Sequence, residues 1–490
     1  MRTLLCFGFM VFLSFSSNSQ QHIVAPVEKR DFTVLTSYDE LQTFLREVNG
    51  HGIQVDSIAV TKQGRGIFAA RASSSTTFGA DAQKVRVLLF AQQHGDEPSG
   101  KEAMTLLIAG LASGNHNKML SSIDLLIVPQ MNPDGSELRQ RRTADSIDLN
   151  RNHVLLTSPA TKALHDLFDQ WKPDVTVDIH EYASFSPSFI DSGMIRTADV
   201  QLGMLTNPNT SPAIYSVQHD SIYPFVAKEM ANRPYHFHEY IVGSADSRIR
   251  HSTTEINDGR QSFGILGTIS FIQEGRKWQT MEEQLERRAK SQLASVEALL
   301  AYCSGHATQI KQVVRQERDR LTSMKPGEMV AVRMDHYPGQ RTMQIPVLLL
   351  PGQKDSTWSV RPYHPEVRTL KDVALPESYF IRKEQSSIIA LLERHHVKMT
   401  KVTKPRWVDA STYLVDSIGV DVIEEDSLPK PSVRVAISNS ILREGDVIVN
   451  TNQIHSLFLA TVLEPESQWG LMKYPQFEPT NGNYPVMRIP

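Results

Sequence analysis

Two cysteines in 490 residues leave this chain almost no disulfide chemistry. Cys6 lies in an N-terminal stretch laid out like a removable leader, so the mature chain keeps only Cys303 and cannot form an internal disulfide. The fold is expected to rest on its core instead. Charge of one sign is also missing. The 51 Lys and Arg residues face 54 Asp and Glu, a net charge of −3. That excludes a basic field for nucleic acid and a block-charged interaction tail. No internal repeat and no low-complexity tract is found. Apart from Leu4 to Phe15, no long apolar run occurs, and that one is short of the ~20 residues of a membrane helix.

What is present is the balance of a globular protein with a large core, 40% hydrophobic and 21% charged. Met1-Arg2 is a basic start, Leu4 to Phe15 an apolar stretch, and Ser17-Asn-Ser19 a small-residue cleavage site before Gln20. This predicts a signal peptide over 1–19 and an exported chain, periplasmic or secreted, with no stable membrane insertion after cleavage. Export without disulfides suits a bacterial envelope. No inhibitory pro-segment is recognisable after the leader, so the chain is expected to act without activation cleavage.

From Tyr38 the apolar spacing Leu41, Phe44, Leu45, Val48 predicts a helix closed by Gly50. Ile53 to Thr61 and Gly66 to Ala72 read as strands. Then strands at 85–90, 123–128, 175–179 and 270–273 alternate with helices at 100–111 and 159–171, and 276–302 reads as one long helix. This predicts a three-layer α/β/α sandwich around a mixed, mostly parallel sheet. A catalytic domain is expected over 20–305, and a second, α/β or β-rich domain of unknown role over 325–490. Its strands are placed at 329–333, 344–350, 433–437 and 446–450, with a helix at 387–396.

In such sheets, functional groups gather at the carboxyl ends of strands. Here those ends carry His94-Gly-Asp-Glu97, Asn132-Pro-Asp-Gly135, Asp178-Ile-His180-Glu and Ile-Gln-Glu274-Gly-Arg, joined by Asp148-Leu-Asn150-Arg151-Asn. Two imidazoles and one carboxylate, His94, His180 and Glu97, form a donor set for one zinc ion that keeps a coordination position open. Glu274 stands outside that set as a general base. Asp148 and Asp178 are placed to bind the second ring nitrogens of the histidines. Asn150 and Arg151 suit a terminal carboxylate, which a planar guanidinium and an amide donor hold best. Arg141 or Arg142 adds a guanidinium near a developing oxyanion.

Over Tyr38 to Ala301 these motifs resemble the zinc carboxypeptidase family, the carboxypeptidase A-like metallopeptidases. The resemblance implies zinc held by His94, Glu97 and His180, Glu274 as general base, and Asn150 and Arg151 on the substrate's terminal carboxylate. It makes Arg141 the carbonyl-polarising arginine, with Arg142 as the other candidate. The implied substrate is the C-terminus of a peptide or protein. Two departures stand out. The family's tyrosine shortly before the base strand has no counterpart in Ile241 to Glu274, where Tyr240, His251 and Phe263 stand nearest. Its arginine between the first His and Glu is replaced by Asp96. The 325–490 part does not resemble the family's transthyretin-like companion domain. Two other functions stay open: a zinc amidohydrolase on a cell-wall peptide or acylated substrate, and an inactive peptide-binding protein.

Several remaining residues have plain structural readings. His236-Phe-His238-Glu reads as a polar loop near the cleft. His395-His396 ends a helix, facing its dipole or solvent. Cys303 reads as a small buried hydrophobe. Asn257-Asp258-Gly259-Arg260 lies where the family shapes its side-chain pocket, and it reads either as a charged selector or as a simple turn.

Overall fold

Eight strands form the central sheet. They are Ile53–Val60 (β1), Gly66–Ala72 (β2), Val85–Ala91 (β3), Ile123–Val128 (β4), Val175–Ala183 (β5), Val200–Gly203 (β6), Phe237–Glu239 (β7) and Ile269–Lys277 (β8). Their order is β1-β2-β4-β3-β5-β8-β6-β7. The run β4-β3-β5-β8 is parallel throughout; β2 and β6 pair antiparallel with its two ends, β1 pairs antiparallel with β2, and β7 parallel with β6. The computed structural model describes residues 22–490 apart from 478, 480 and 481, so the leader and Cys6 lie outside the described residues.

The period of two along each strand builds two cores. Val85, Val87, Leu89 and Ala91 of β3 enter one, and Leu88 and Phe90 enter the other. The sandwich helices are Tyr38–Val48 (α1), Ser99–Ala112 (α2), Pro159–Trp171 (α3), Leu285–Gly305 (α4) and Ala307–Thr322 (α5). Residues of α1, α2 and α4 fill the first core, and residues of α3 the second. The expected α/β/α sandwich is what forms. Local signals set the helix ends. Ser37 and Glu40 make a reciprocal capping box at α1. Ser158 caps α3, with Pro159 at its first position.

The long helix expected from Arg276 is corrected. The chain stays in β8 through Lys277, and α4 begins only at Leu285. β8 pairs on both sides, with β5 as far as Ala183 and with β6, and this pairing overrides the helical spacing of the charged residues.

The chain after Met324 folds against the sandwich. Met343–Leu349 adds a strand to Met194–Arg196, and Tyr363–His364 pairs with Ile249–His251. Leu457, Phe458 and Trp469 share the second core with Phe90 and Phe263. Two long strands, Arg406–Ile423 and Asp426–Leu442, form a hairpin of which only 433–437 was legible beforehand. Its tip, Glu424-Glu425, turns in the left-handed region, with φ of 54° and 68°. The Glu424 carboxylate accepts the Thr254 amide at 3.0 Å, and Glu425 pairs with Arg250 at 2.9 Å.

Candidate metal centre and substrate cleft

The site opens at the carboxyl ends of β3, β5 and β8. After β3 the chain makes a tight loop through His94 and Glu97 into α2. The glycines of two motifs explain each other here: a Cβ on Gly95 would meet the Gly135 carbonyl carbon at 2.1 Å, so the two loops touch backbone to backbone. Asn132 caps its own short helix through the Gly135 amide (2.8 Å) and donates to the Gln93 carbonyl (3.1 Å). The Asn-Pro-Asp-Gly motif is thus a brace for the metal loop.

His94, Glu97 and His180 are buried, and their donor atoms lie within 4.8 Å of one another. His94 Nδ1 is 2.8 Å from one Glu97 oxygen, and His180 Nδ1 is 3.0 Å from the other. The two Nδ1 atoms face each other at 3.1 Å. Zn–N bonds of ~2.0–2.1 Å at tetrahedral angles put neighbouring donors about 3.4 Å apart. The donor set therefore fits zinc. The far side of each ring meets a carboxylate: Asp148 Oδ1 is 3.2 Å from His94 Nε2, and Asp178 Oδ1 is 2.9 Å from His180 Nε2, the latter without hydrogen-bond alignment. Burial pushes the Glu97 carboxyl up, but the two histidines outweigh it and hold it well below its usual range. Burial likewise opposes the charged form of Asp148, and His94, Arg141 and Arg151 together hold it low.

Behind the donors the packing is fixed by buried polar groups. The Glu97 carboxylate accepts the Glu181 amide at 3.1 Å, and Gln292 donates to the His180 carbonyl at 3.0 Å. Glu181 itself is fully buried and takes two hydrogen bonds from Arg288, at 2.9 and 2.6 Å. The Gln93 side chain donates to both oxygens of Asp178, and His153 Nε2 meets Gln93 Oε1 at 2.9 Å.

Glu274 is the direct cross-strand partner of His180 in the β5–β8 ladder. Burial is the largest influence on its carboxyl. The His180 and His94 charges and the Tyr240 hydroxyl favour ionisation, Glu97 opposes it, and the balance rests at about 7. A cleft of about 260 Å³ joins Glu274 to the metal donors, Arg141, Asn150, Arg151, Arg196, Tyr240 and Asp258.

Residues 41–261 match the family described as zinc carboxypeptidase. The match places a zinc carboxypeptidase domain in this stretch. By family it is a zinc metallocarboxypeptidase, an enzyme acting on peptide C-termini. It is similar to carboxypeptidase 2 of Trichophyton tonsurans, 24% identical over 431 residues that span 85% of this chain and 79% of that one. Among solved structures it resembles a metallo-carboxypeptidase from Pseudomonas aeruginosa, 18% identical, covering 56% of this chain and 69% of that one with a TM-score of 0.43. It also resembles carboxypeptidase A from Helicoverpa armigera, 15% identical, covering 56% and 75% with a TM-score of 0.45.

Against the family pattern, the structure brings Tyr240 into the cleft that Glu274 also lines. His251 is instead buried against Glu239 at 3.0 Å, and Phe263 stacks on Phe168 in the core. Asp96 pairs with Lys277, at the end of the base strand. Of the two arginine candidates, Arg141 lies at the donors: its Nε donates to Asp148 at 3.0 Å, and its Nη1 is 3.1 Å from His94 Nδ1. Arg142 is corrected. It turns back onto the Ser146 carbonyl of its own loop (3.0 Å) and does not line the cleft. Arg151 is steadied by Glu255 at 3.1 Å. The Asn150 side-chain Oδ1 accepts the Gly259 amide at 2.8 Å, which leaves its Nδ2 for the cleft.

The outlying residues settle into structure. Asp258 caps the Gly259–Gly264 helix and pairs with fully buried Arg260. A Cβ at Gly259 would meet an Asp178 oxygen at 2.5 Å, so the glycine is a packing need. His238 sits between the carbonyls of Glu239 and Gln344. His395 does not face solvent: it is buried on the Val154 carbonyl at 2.7 Å, and burial lowers its pKa to about 3. Burial pushes the Cys303 thiol up to about 12, as suits an inert core residue. The sequence reading passed over Gln93, Glu181, Arg196 and Arg288. Gln93 and Glu181 adjoin metal donors in the chain, which was the signal available for them.

Proposed function

We propose that this chain is an exported carboxypeptidase that removes residues singly from peptide C-termini. The observation that carries this is the Glu274–His180 pairing across β8 and β5, which sets a carboxylate with a near-neutral pKa beside the three converging donors. His94, Glu97 and His180 hold the zinc. When bound, zinc supplies Lewis acidity, making water more acidic and polarising the scissile carbonyl. Glu274 takes a proton from the attacking water and returns it to the leaving amine. Arg141 stabilises the negative charge that develops on the carbonyl oxygen. Asn150 and Arg151 hold the terminal carboxylate, which fixes the last peptide bond at the metal. Tyr240 lines the same cleft as Glu274 and offers its hydroxyl to the substrate. Residues 20–305 supply the chemistry, and residues 325–490 buttress the cleft rim.

The test is a panel of paired peptides, each as free acid and as C-terminal amide. The free acids are trimmed by one residue at a time and the amides are not. Equal cleavage of both would replace this reading with a general amidohydrolase.

A further inference from the structure

Arg196 is a buried cation with too few partners. It is 7% exposed and lines the cleft. One terminal nitrogen donates to the Ala183 carbonyl at 2.9 Å, while its buried Nε has no partner. Its guanidinium lies 4.5 Å from the Tyr182 ring and 4.9 Å from that of Phe189. The carboxylate that acts on it is Glu274, with which it makes neither an ion pair nor a hydrogen bond. Burying a guanidinium without a carboxylate partner is costly. Such a group in a substrate cleft is poised for a partner that arrives with the substrate.

Its place along the cleft says which part of the substrate that is. On β5, Asp178 lies inward, His180 sits at the metal and Ala183 lies outward, about 10 Å beyond His180 at ~3.3 Å per residue. Asn150 is tied to Gln93 and Gly259, at the Asp178 end. Arg196 is tied to Ala183, at the other end. A peptide with its terminal carboxylate on Asn150 and Arg151 and its last peptide bond at the metal therefore runs outward toward Arg196. The strand that carries Arg196 is clamped by the C-terminal chain, with Arg196 paired to Val347. The guanidinium is thus presented from a fixed backbone.

We propose that Arg196 recognises a carboxylate on the acyl side of the cleaved bond, which makes peptides with Asp or Glu one or two residues before the C-terminal residue the preferred substrates. This rests on the carboxypeptidase reading above. Once engaged, the acidic side chain accepts hydrogen bonds from the guanidinium and supplies its missing counter-charge.

The test compares free-acid peptides that differ only at those positions, as Glu, Gln or Lys. Wild type, Arg196→Met and Arg196→Glu are assayed for kcat and KM by mass spectrometry. Wild type prefers Glu to Gln by at least tenfold, mostly through KM. Arg196→Met brings that ratio near one, and Arg196→Glu shifts the preference to Lys. An unchanged ratio in Arg196→Met, or an equal fall on every peptide, would make Arg196 a packing residue and overturn the proposal. If wild type trims no free-acid peptide, the carboxypeptidase reading fails on its own. The same peptides are then titrated onto zinc-loaded Glu274→Gln: tighter binding of Glu than of Gln upholds the subsite, and equal binding ends it.

Discussion

The metal end of the cleft and its outer rim are held in different ways. At the metal end, His180 and Glu274 are neighbours in a parallel ladder, and their backing groups Glu181, Arg288 and Gln292 are buried within the sandwich itself. At the rim, Arg196 and the Ile241–Gly243 strand depend on distant chain. Arg196 pairs with Val347, and Ile241–Gly243 pairs with Ile249–His251, which Tyr363–His364 holds in turn. The Thr254 amide, beside cleft residue Thr253, is capped by the Glu424 hairpin tip. The metal end is built from local sheet register, and the outer rim is braced by the C-terminal chain. The C-terminal 165 or so residues are therefore expected to govern KM more than kcat.

This contrast can be broken or sharpened by substitution. The largest effect is expected at Arg288→Met, which strands the buried Glu181 carboxylate behind the donors. Removing one partner of a buried pair costs about 3–5 kcal/mol, so denaturant unfolding should show a loss of that order together with weaker metal retention. Stability unchanged within about 1 kcal/mol would show that the metal end does not rest on that pair.

Next comes the hairpin tip. Burial raises the Glu424 carboxyl from its ordinary value of 4.5 to about 7, against the pull of Arg250 and the Thr254 amide. Between those values the folded chain keeps a proton that the unfolded chain has lost. Stability therefore falls as pH rises through this window, by up to about 1.4 kcal/mol per pH unit, and levels off above it. Glu424→Gln flattens that slope when unfolding is followed from pH 4.5 to 7. An unaltered slope would remove the tip carboxylate from the account.

Asp178→Asn acts on the metal end alone. Loss of a carboxylate behind a ligating histidine weakens metal affinity by about 10–100-fold, which a competition titration with a chelator measures. Affinity within twofold of wild type would show that Asp178 only packs. The smallest effect is at the rim. Tyr363→Phe loses a hydrogen bond to Glu239, the residue before Tyr240, for about 1 kcal/mol. It is expected to raise KM and leave kcat near wild type, and the reverse split would place this contact in the chemistry.

The two regions also differ in how far the sequence revealed them. His94, Glu97, His180 and Glu274 were legible because apolar strands announce their own ends, and the chemistry sits just past those ends. The braces follow from loop residues close by in the chain, as with Asn132 and Gly95. Arg196 and Tyr240 were not placed, because their strands are three residues long or flank such strands and carry no period of their own. Met194–Arg196 exists through pairing with chain far away in sequence, and Ile241–Gly243 sits in a short hairpin that distant chain holds. The misplaced helix at Arg276 has the same origin: helical charge spacing gave way to a strand paired on both sides. The Arg406–Leu442 hairpin was seen only in part because most of it is solvated, so its alternation carries little apolar signal.

The central claim is that Glu274 is the base of a zinc site formed by His94, Glu97 and His180. Its most direct test is zinc content together with single-residue trimming of a free-acid peptide, followed against pH for wild type and Glu274→Gln. The account predicts one zinc per chain in both. In wild type, kcat/KM falls tenfold per pH unit on an acidic limb at or below about pH 7, since the charge of the metal favours the ionised carboxylate. In Glu274→Gln, turnover falls by about 10²–10⁴. Full trimming by Glu274→Gln with its zinc retained, or a wild type that holds no zinc, would contradict it.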